Sequence, residues 1–255
     1  MGAALLSQWR NVPGHSFFVI DPAFAAGAEP PRGRGDVHFL AARPAVADCQ
    51  FDLLIVAVKP QMIDAILSAY RPCLSADGFI ASVAAGCSIA RLQSIIGAVP
   101  VIRIMPNLPA AIGAGVSGLC ADRSATAAQR GTVEALMKAA GLAVWVDDED
   151  KLDRLTAIAG SGPGYVFEFA RSYAEAAEAL GFSAAEARQL VLGTIGGTAA
   201  MALGSDTDLS DLRNSVTSKN GTTAAGLAAF NGDGALSGLL KATLDAAYAR
   251  AIALR

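Results

Sequence analysis

The sequence predicts a doubly wound, mostly parallel α/β half followed by an all-α half. Three observations carry this reading. Short β-rich runs alternate with helical stretches up to residue 148, and the acidic run Asp147-Asp148-Glu149-Asp150 then marks a change of character. Beyond that run, long Ala-rich helical patterns follow without a convincing strand. The expected division is therefore 1–148 and 149–255.

The elements are expected in this order. MGAALLSQW opens with an apolar helical pattern over 3–9, in which Ala3, Leu5, Leu6 and Trp9 share one face. FFVI at 17–20 is a strand closed by Asp21-Pro22, and VHFL at 37–40 is a weaker one. FDLLIVAV at 51–58 is a continuous apolar run ending at Lys59-Pro60, as a strand covered on both faces should be. Further strands fall at 79–83, 99–105, 116–119 and 143–146, with helical patterns at 61–69, 89–96 and 125–140 between them. In the second half, helices are expected over about 164–180, 184–203 and 234–254. Gly181-Phe182-Ser183 reads as a helix stop followed by a Ser N-cap.

Composition narrows the function classes. Hydrophobic residues at 53% against 17% charged exclude a disordered chain, and a net charge of −3 gives no basic surface for nucleic acid. A mean hydropathy of +0.41 raises the question of a membrane span. The best candidate, QLVLGTIGGTAAMALGS at 189–205, is shorter than the ~20 strongly apolar residues a span needs, and a helix buried between subunits is expected instead. The start shows no secretory signal, and Cys49, Cys73, Cys87 and Cys120 lack CxxC spacing, which fits free thiols in a cytoplasmic protein. With only His15 and His38, no metal cluster is expected.

Ligands of open α/β sheets bind beyond the carboxyl ends of the strands. Asp21, the AVKP turn (57–60) and the loop RIMPNLP (103–109) stand at such ends. Asp21 suits either a ribose hydroxyl or a simple turn cap. Lys59 is either a ligand contact or a solvated cation, and Asn107 either orients a planar ring or sits in a stiff connection between Pro106 and Pro109. In the second half, AGSGPGYVF (159–167) and VTSKNGTTAAGL (216–227) are Gly/Ser/Thr stretches facing helix starts. In the latter, Asn220-Gly221 makes a turn and Thr222 or Thr223 can cap, so free N–H groups offer a carboxylate or phosphate site, or a plain N-cap loop. No GxSxG, Walker or HExxH motif appears, so chemistry would rest on a bound cofactor that the protein places.

Taken together, these motifs resemble the Δ1-pyrroline-5-carboxylate reductases. FFVIDP is similar to that family's second strand and LLIVAVKPQMI to its AVKP turn. SVAAGCSIARL is similar to the strand–helix join beyond it, and VIRIMPNLPAAIGAGVSGL to its RxMPNxPxxxGxGxxxL segment. AGSGPGYVFEF resembles the SGSGPAY helix entry and LRNSVTSKNGTTAAGL the LRxxVTSPGGTTxxGL loop. The resemblance implies a Rossmann-like doubly wound parallel sheet followed by an all-α dimerisation domain, with dimers that often assemble into decamers. It implies hydride transfer from NADPH or NADH to the C5=N bond of the cyclic imine, giving L-proline.

Carried over by position, Ala57, Val58, Lys59, Ala85 and Asn107 border the cofactor, with Asp21 at the ribose. Ser218, Gly221, Thr222 and Thr223 hold the substrate, its carboxylate on backbone N–H groups and its ring nitrogen near the Thr223 hydroxyl. Ser218 and Thr223 are thus the catalytic pair; a protonated imine is already electrophilic and needs no strong general acid. Two departures stand out. Lys219-Asn220 replaces the family's Pro-Gly, and Lys219 either attracts the substrate carboxylate or sits in solvent. Asp21 favours NADH, whereas Arg32, Arg34 or Arg43 could meet the 2′-phosphate of NADPH. Rival readings are a hydroxy-acid dehydrogenase of the same architecture and a non-catalytic dinucleotide-binding protein.

The opening stretch fits the same resemblance. In a turn of form GxGxMGxALL, Met1 and Gly2 are the fifth and sixth positions and border the cofactor. The expectation is a truncated nucleotide-binding domain, with roughly ten residues, one strand plus a turn, preceding Met1. A chain without that strand is expected to bind NAD(P)H weakly or not at all.

Overall fold

The computed structural model describes residues 1–26, 36–46 and 49–254, so Arg32 and Arg34 lie outside the described residues. Residues 1–161 and 247–255 form one compact unit and residues 162–246 a second.

The first unit holds α1 (Gly2–Trp9), β1 (Phe17–Ile20), β2 (Val37–Leu40), β3 (Phe51–Val56), α2 (Ile63–Ile66), β4 (Leu74–Ser82), α3 (Ile89–Ile96), β5 (Val101–Met105), β6 (Gly115–Ala121), α4 (Ala127–Ala139), β7 (Gly141–Trp145) and α5 (Glu149–Leu155). β1 and β2 form a parallel pair by themselves, and the main sheet runs β3-β4-β5-β6-β7. No ladder joins β1 to β3; the rings of Phe18 and Phe51 meet instead, with centroids 5.4 Å apart. Among the described residues all pairings are parallel except β5–β6. That reversal follows from the connection. Residues 106–114 form a loop with a 3₁₀ turn, Leu108–Ile112, far shorter than the dozen or more residues a parallel crossover takes.

Alternation along the strands sends side chains into two cores. Phe79, Ala81, Ile102 and Ile104 face Leu5, Trp9, Val133 and Met137 on one side. Ile80 and Val101 face Ile63, Leu67, Leu92 and Ile96 on the other. Each such large apolar side chain contributes about 1.5–3 kcal/mol on burial. Local signals fix the helix starts. The Ser88 hydroxyl accepts the Arg91 N–H at α3, and Thr126 with Gln129 forms a capping box at α4.

Three expectations need correction. Residues 61–69 are not one helix: α2 is a single turn between 3₁₀ segments Pro60–Met62 and Leu67–Cys73. Pro72 removes an N–H from the closing turns, which tighten accordingly. β3 ends at Val56 rather than residue 58, because the chain turns at Lys59-Pro60. In α1, Leu5, Leu6 and Trp9 are buried as expected, but Ala3 is exposed.

The second unit comprises α6 (Gly162–Ala179), α7 (Ala184–Leu203), α8 (Leu209–Ser215), α9 (Thr222–Asn231) and the greater part of α10 (Ala235–Ala253). Ser183 caps α7 in a capping box with Glu186, after Gly181 at φ 102°. Few of its side chains are buried. α6 buries only Ala170 and Ala177, and α7 only Ala187 and Val191. Phe167, Met201, Leu203 and Leu239 stand more than 60% exposed, an apolar surface that calls for a partner. Among the described residues no helix is long and apolar enough to cross a membrane.

One polar contact organises the first unit. Arg103, on β5, is 3% exposed, and its Nη1 donates to Glu149 Oε1 at 2.7 Å. The same oxygen accepts the Ile89 N–H at 3.0 Å. Glu149→Ala leaves a buried guanidinium without its carboxylate, so urea denaturation should show a loss of about 3 kcal/mol, with Glu149→Gln milder. Cys87 and Cys120 are buried free thiols beside this pair. Burial, with Glu149 adding to it, pushes Cys120 up to about 11 from 9.0, and burial likewise raises Cys87. The folded state therefore holds the neutral thiols, and that share of stability is lost as pH rises from 9.0 towards 11. Iodoacetamide at pH 8 should modify both only after denaturant is added.

Candidate active site

The parallel strands β3, β4 and β5 carry their carboxyl ends to one edge of the sheet, where a ligand of an open α/β sheet sits. Ala57 and Lys59 follow β3 and Ala85 follows β4; all three are exposed, while Val58 is half-buried. Lys59 precedes the 3₁₀ turn at Pro60, and its carbonyl accepts the Met62 N–H at 2.9 Å. Gly2 is drawn to the same place. A Cβ on Gly2 would lie 3.1 Å from the Ala57 Cβ, so glycine lets the first turn of α1 approach the AVKP turn. Met1 is exposed beside it. These small residues at strand ends fit the close backbone approach a dinucleotide requires.

Asp21 ends β1 with an exposed side chain, and its Oδ1 accepts the Ala23 N–H at 2.9 Å. One carboxylate oxygen therefore serves as a turn cap. Arg43 donates from Nη1 to Cys73 Sγ at 3.4 Å, so its guanidinium lies on β4's entry.

Asn107 is only 7% exposed, and its amide is committed within the fold. Its Oδ1 accepts the Val116 N–H at 2.9 Å and its Nδ2 donates to the Ala159 carbonyl at 3.0 Å. The amide thus braces the start of β6 and reaches a π-helical turn, Thr156–Gly160. Gly160 comes against Met105, the last residue of β5. Sequence reasoning left Asn107 between a ring-orienting amide and a stiff connection, and each end of the amide makes one bond within the connection. The π turn directly before SGPGY had no sequence signal, since its residues read as ordinary helix formers. Such turns occur frequently at functional sites.

The second unit places Ser218, Gly221, Thr222 and Thr223 in one turn. Gly221, not a threonine, is the N-cap of α9, and no side chain caps it. Thr222 and Thr223 are the first helical residues, because Asn220 at φ 60° completes the turn and leaves Gly221 extended at ψ 172°. The Gly221 N–H donates to the Ser218 carbonyl at 3.0 Å. A Cβ on Gly221 would sit 2.3 Å from Ser218 Oγ, so only glycine lets this hydroxyl lie against the helix entry. Ser218, Lys219, Thr222 and Thr223 are exposed and Gly221 half-buried. First-turn N–H groups without a side-chain cap, at the positive end of a helix dipole, suit an anion. Thr223 also borders a cavity of about 620 Å³, lined by Phe169, Ser172, Tyr173, Gly226, Leu227 and Phe230. The aromatic wall escaped sequence reasoning, although the i, i+4 spacing of Phe169 and Tyr173 on α6 was its signal. No group of His, Cys, Asp and Glu among the described residues could hold a metal.

Comparison with known proteins gives a consistent result. Residues 149–254 match the family description "Pyrroline-5-carboxylate reductase dimerisation". The pyrroline-5-carboxylate reductase of Pseudomonas aeruginosa is 41% identical over 211 residues, 82% of this chain and 76% of that protein. A solved pyrroline-5-carboxylate reductase from Coxiella burnetii superposes with a TM-score of 0.87 at 28% identity, covering 99% of this chain and 94% of that one. The pyrroline carboxylate reductase of Plasmodium falciparum, solved with NADP bound, shares the fold with a TM-score of 0.79 at 24% identity, covering 100% and 94% of the two chains.

The bracing amide of Asn107 yields a direct test. Asn107→Ala strands a buried donor and a buried acceptor, and should lower the unfolding free energy by about 3 kcal/mol in urea titration. Asn107→Asp keeps the Val116 bond but sets a carboxylate against the Ala159 carbonyl, and should be no better.

Proposed function

The chain belongs to the pyrroline-5-carboxylate reductase family, and on that premise we propose that it reduces Δ1-pyrroline-5-carboxylate to L-proline, the last step of proline biosynthesis. Bound NADPH or NADH supplies the hydride to C5 of the imine. The chain's own residues supply placement. Gly2, Ala57, Val58, Lys59 and Ala85 stand at strand ends and border the cofactor, with Met1 beside them. Asp21 retains a carboxylate oxygen for a ribose hydroxyl, and Asn107 holds its loop in position rather than touching the ring.

The uncapped N-terminus of α9 is the single observation that best supports the substrate assignment. Backbone N–H groups of Thr222 and Thr223 receive the substrate carboxylate beside the Gly221 cap, and Ser218 Oγ adds a donor against the same turn. Thr223 Oγ1 bonds the ring nitrogen, which keeps its proton as the secondary amine of proline forms. A protonated imine needs no further acid, which agrees with a site built from hydroxyls and amides. Holding the two reacting carbons in contact then supplies most of the rate. Lys219 is exposed and belongs to solvent in this reading. The apolar surface of α6–α10 is the face by which copies associate, as a homodimer or a homodecamer, in the cytoplasm.

Purified protein mixed with the imine and NADPH or NADH should form one proline per cofactor oxidised, followed by absorbance and amino-acid analysis. Turnover of hydroxy acids alone, or nucleotide binding without turnover, would overturn the proposal. Thr223→Ala should lower kcat/KM for the imine about tenfold through loss of a charge-assisted hydrogen bond, with cofactor affinity unchanged.

A further inference from the structure

The turn at 84–88 follows β4 and carries Ala85, and one local contact and two from distant parts of the chain converge on it. Ser82 Oγ accepts the Ala84 N–H at 3.3 Å, below the turn. Glu149 accepts the Ile89 N–H at 3.0 Å, at its far end. The third contact comes from the last turns of α10, since residues 247–255 belong to the first unit. Gly86 has φ 68°, and a Cβ there would lie 2.2 Å from the Leu254 carbonyl oxygen and 3.0 Å from its carbon. Main chain packs on main chain, so no rotamer change could relieve an added methyl group.

The last turns of α10 are themselves fastened. The Tyr248 hydroxyl donates to Asp150 Oδ1, and Arg154 Nε donates to Asp150 Oδ2 at 2.8 Å. The Arg154 guanidinium lies 5.3 Å from the centre of the Tyr248 ring. Asp150 is the neighbour of Glu149 at the start of α5. One helix start therefore holds the 84–88 turn through Glu149 and the end of α10 through Asp150, and the end of α10 closes on the turn at Gly86.

We propose that Tyr248 and Gly86 are positioning residues for the nicotinamide cofactor, acting by clamping the Ala85-bearing turn between α5 and the final turn of α10. The inference rests on the assignment of Ala85 to the cofactor border. Neither residue touches a reacting atom. A merely structural role would lower thermal stability without separating cofactor from imine, whereas a positioning role moves the cofactor constants alone.

The test uses the full chain in three forms, Gly86→Ala, Tyr248→Phe and a chain ending at Ala253. NAD(P)H affinity is read by fluorescence titration, and KM for cofactor and imine are read separately. Gly86→Ala should weaken cofactor binding about tenfold and Tyr248→Phe about threefold, with KM for the imine within about twofold of the parent. In the chain ending at Ala253 the penalty of Gly86→Ala should shrink, because the carbonyl it meets is gone. Unchanged cofactor affinity in both variants overturns the clamp. So does an equal rise in both KM values, or a fall in melting temperature with the constants unmoved. A parent chain that binds NAD(P)H but makes no proline defeats the proposed reaction alone. A parent that makes proline while its variants behave identically defeats the clamp alone.

Discussion

The buried ion pair between Arg103 and Glu149 is the contact on which the first unit depends. β5 lies in the middle of the main sheet, and a guanidinium in its buried row is tolerable only with a carboxylate in reach. Glu149 meets that need from the first turn of α5, which must therefore stay against the sheet. The same carboxylate oxygen takes the free N–H of Ile89, at the start of α3. A single residue beyond the strands thus fixes a strand, a helix start and the end of the 84–88 turn. The acidic run that marks a change of character in the sequence is also the tie that closes the sheet domain.

Much of the fold was legible because its signals are local. β1, β2, α3 and α7 fall where periodicity and capping residues put them, and the Asn220 turn keeps the left-handed backbone that its residue type allows. What escaped was set by contacts distant in sequence or by proline geometry. The 61–69 pattern has helical spacing, yet Pro72 and the short path to β4 divide it. The π turn at 156–160 has no residue signature; it is stabilised by Asn107, 52 positions away. The reversal at β6 is readable only from the length of the loop before it.

The two candidate regions, one in each unit, were legible to different depths. Ser218, Gly221, Thr222 and Thr223 fall together because they belong to one stretch of six residues, 218–223, and the glycine cap follows from the turn. Asn107 was assigned to the cofactor border, and in the fold its amide makes two internal bonds, to Ala159 and Val116. Phe169, Tyr173 and Phe230 were missed, because aromatic residues on a helix read as core until the helix is seen to lack one. The helices of the second unit bury mostly alanine, so their larger apolar side chains are left for association.

The Asn220–Gly221 pair also gives this turn a chemical lifetime. Asparagine before glycine is the sequence in which the next backbone nitrogen most readily attacks the side-chain amide, expelling ammonia to form a cyclic imide that water then opens to a carboxylate. Glycine–glycine, the pair that the VTSPGGTT pattern puts at these two positions, has no such amide to lose. The Gly221 N–H is held by the Ser218 carbonyl, which restrains the attacking nitrogen. Where the restraint fails, a new negative charge appears next to a helix end suited to anions. The residue that preserves the shape of the turn therefore also governs how the protein ages.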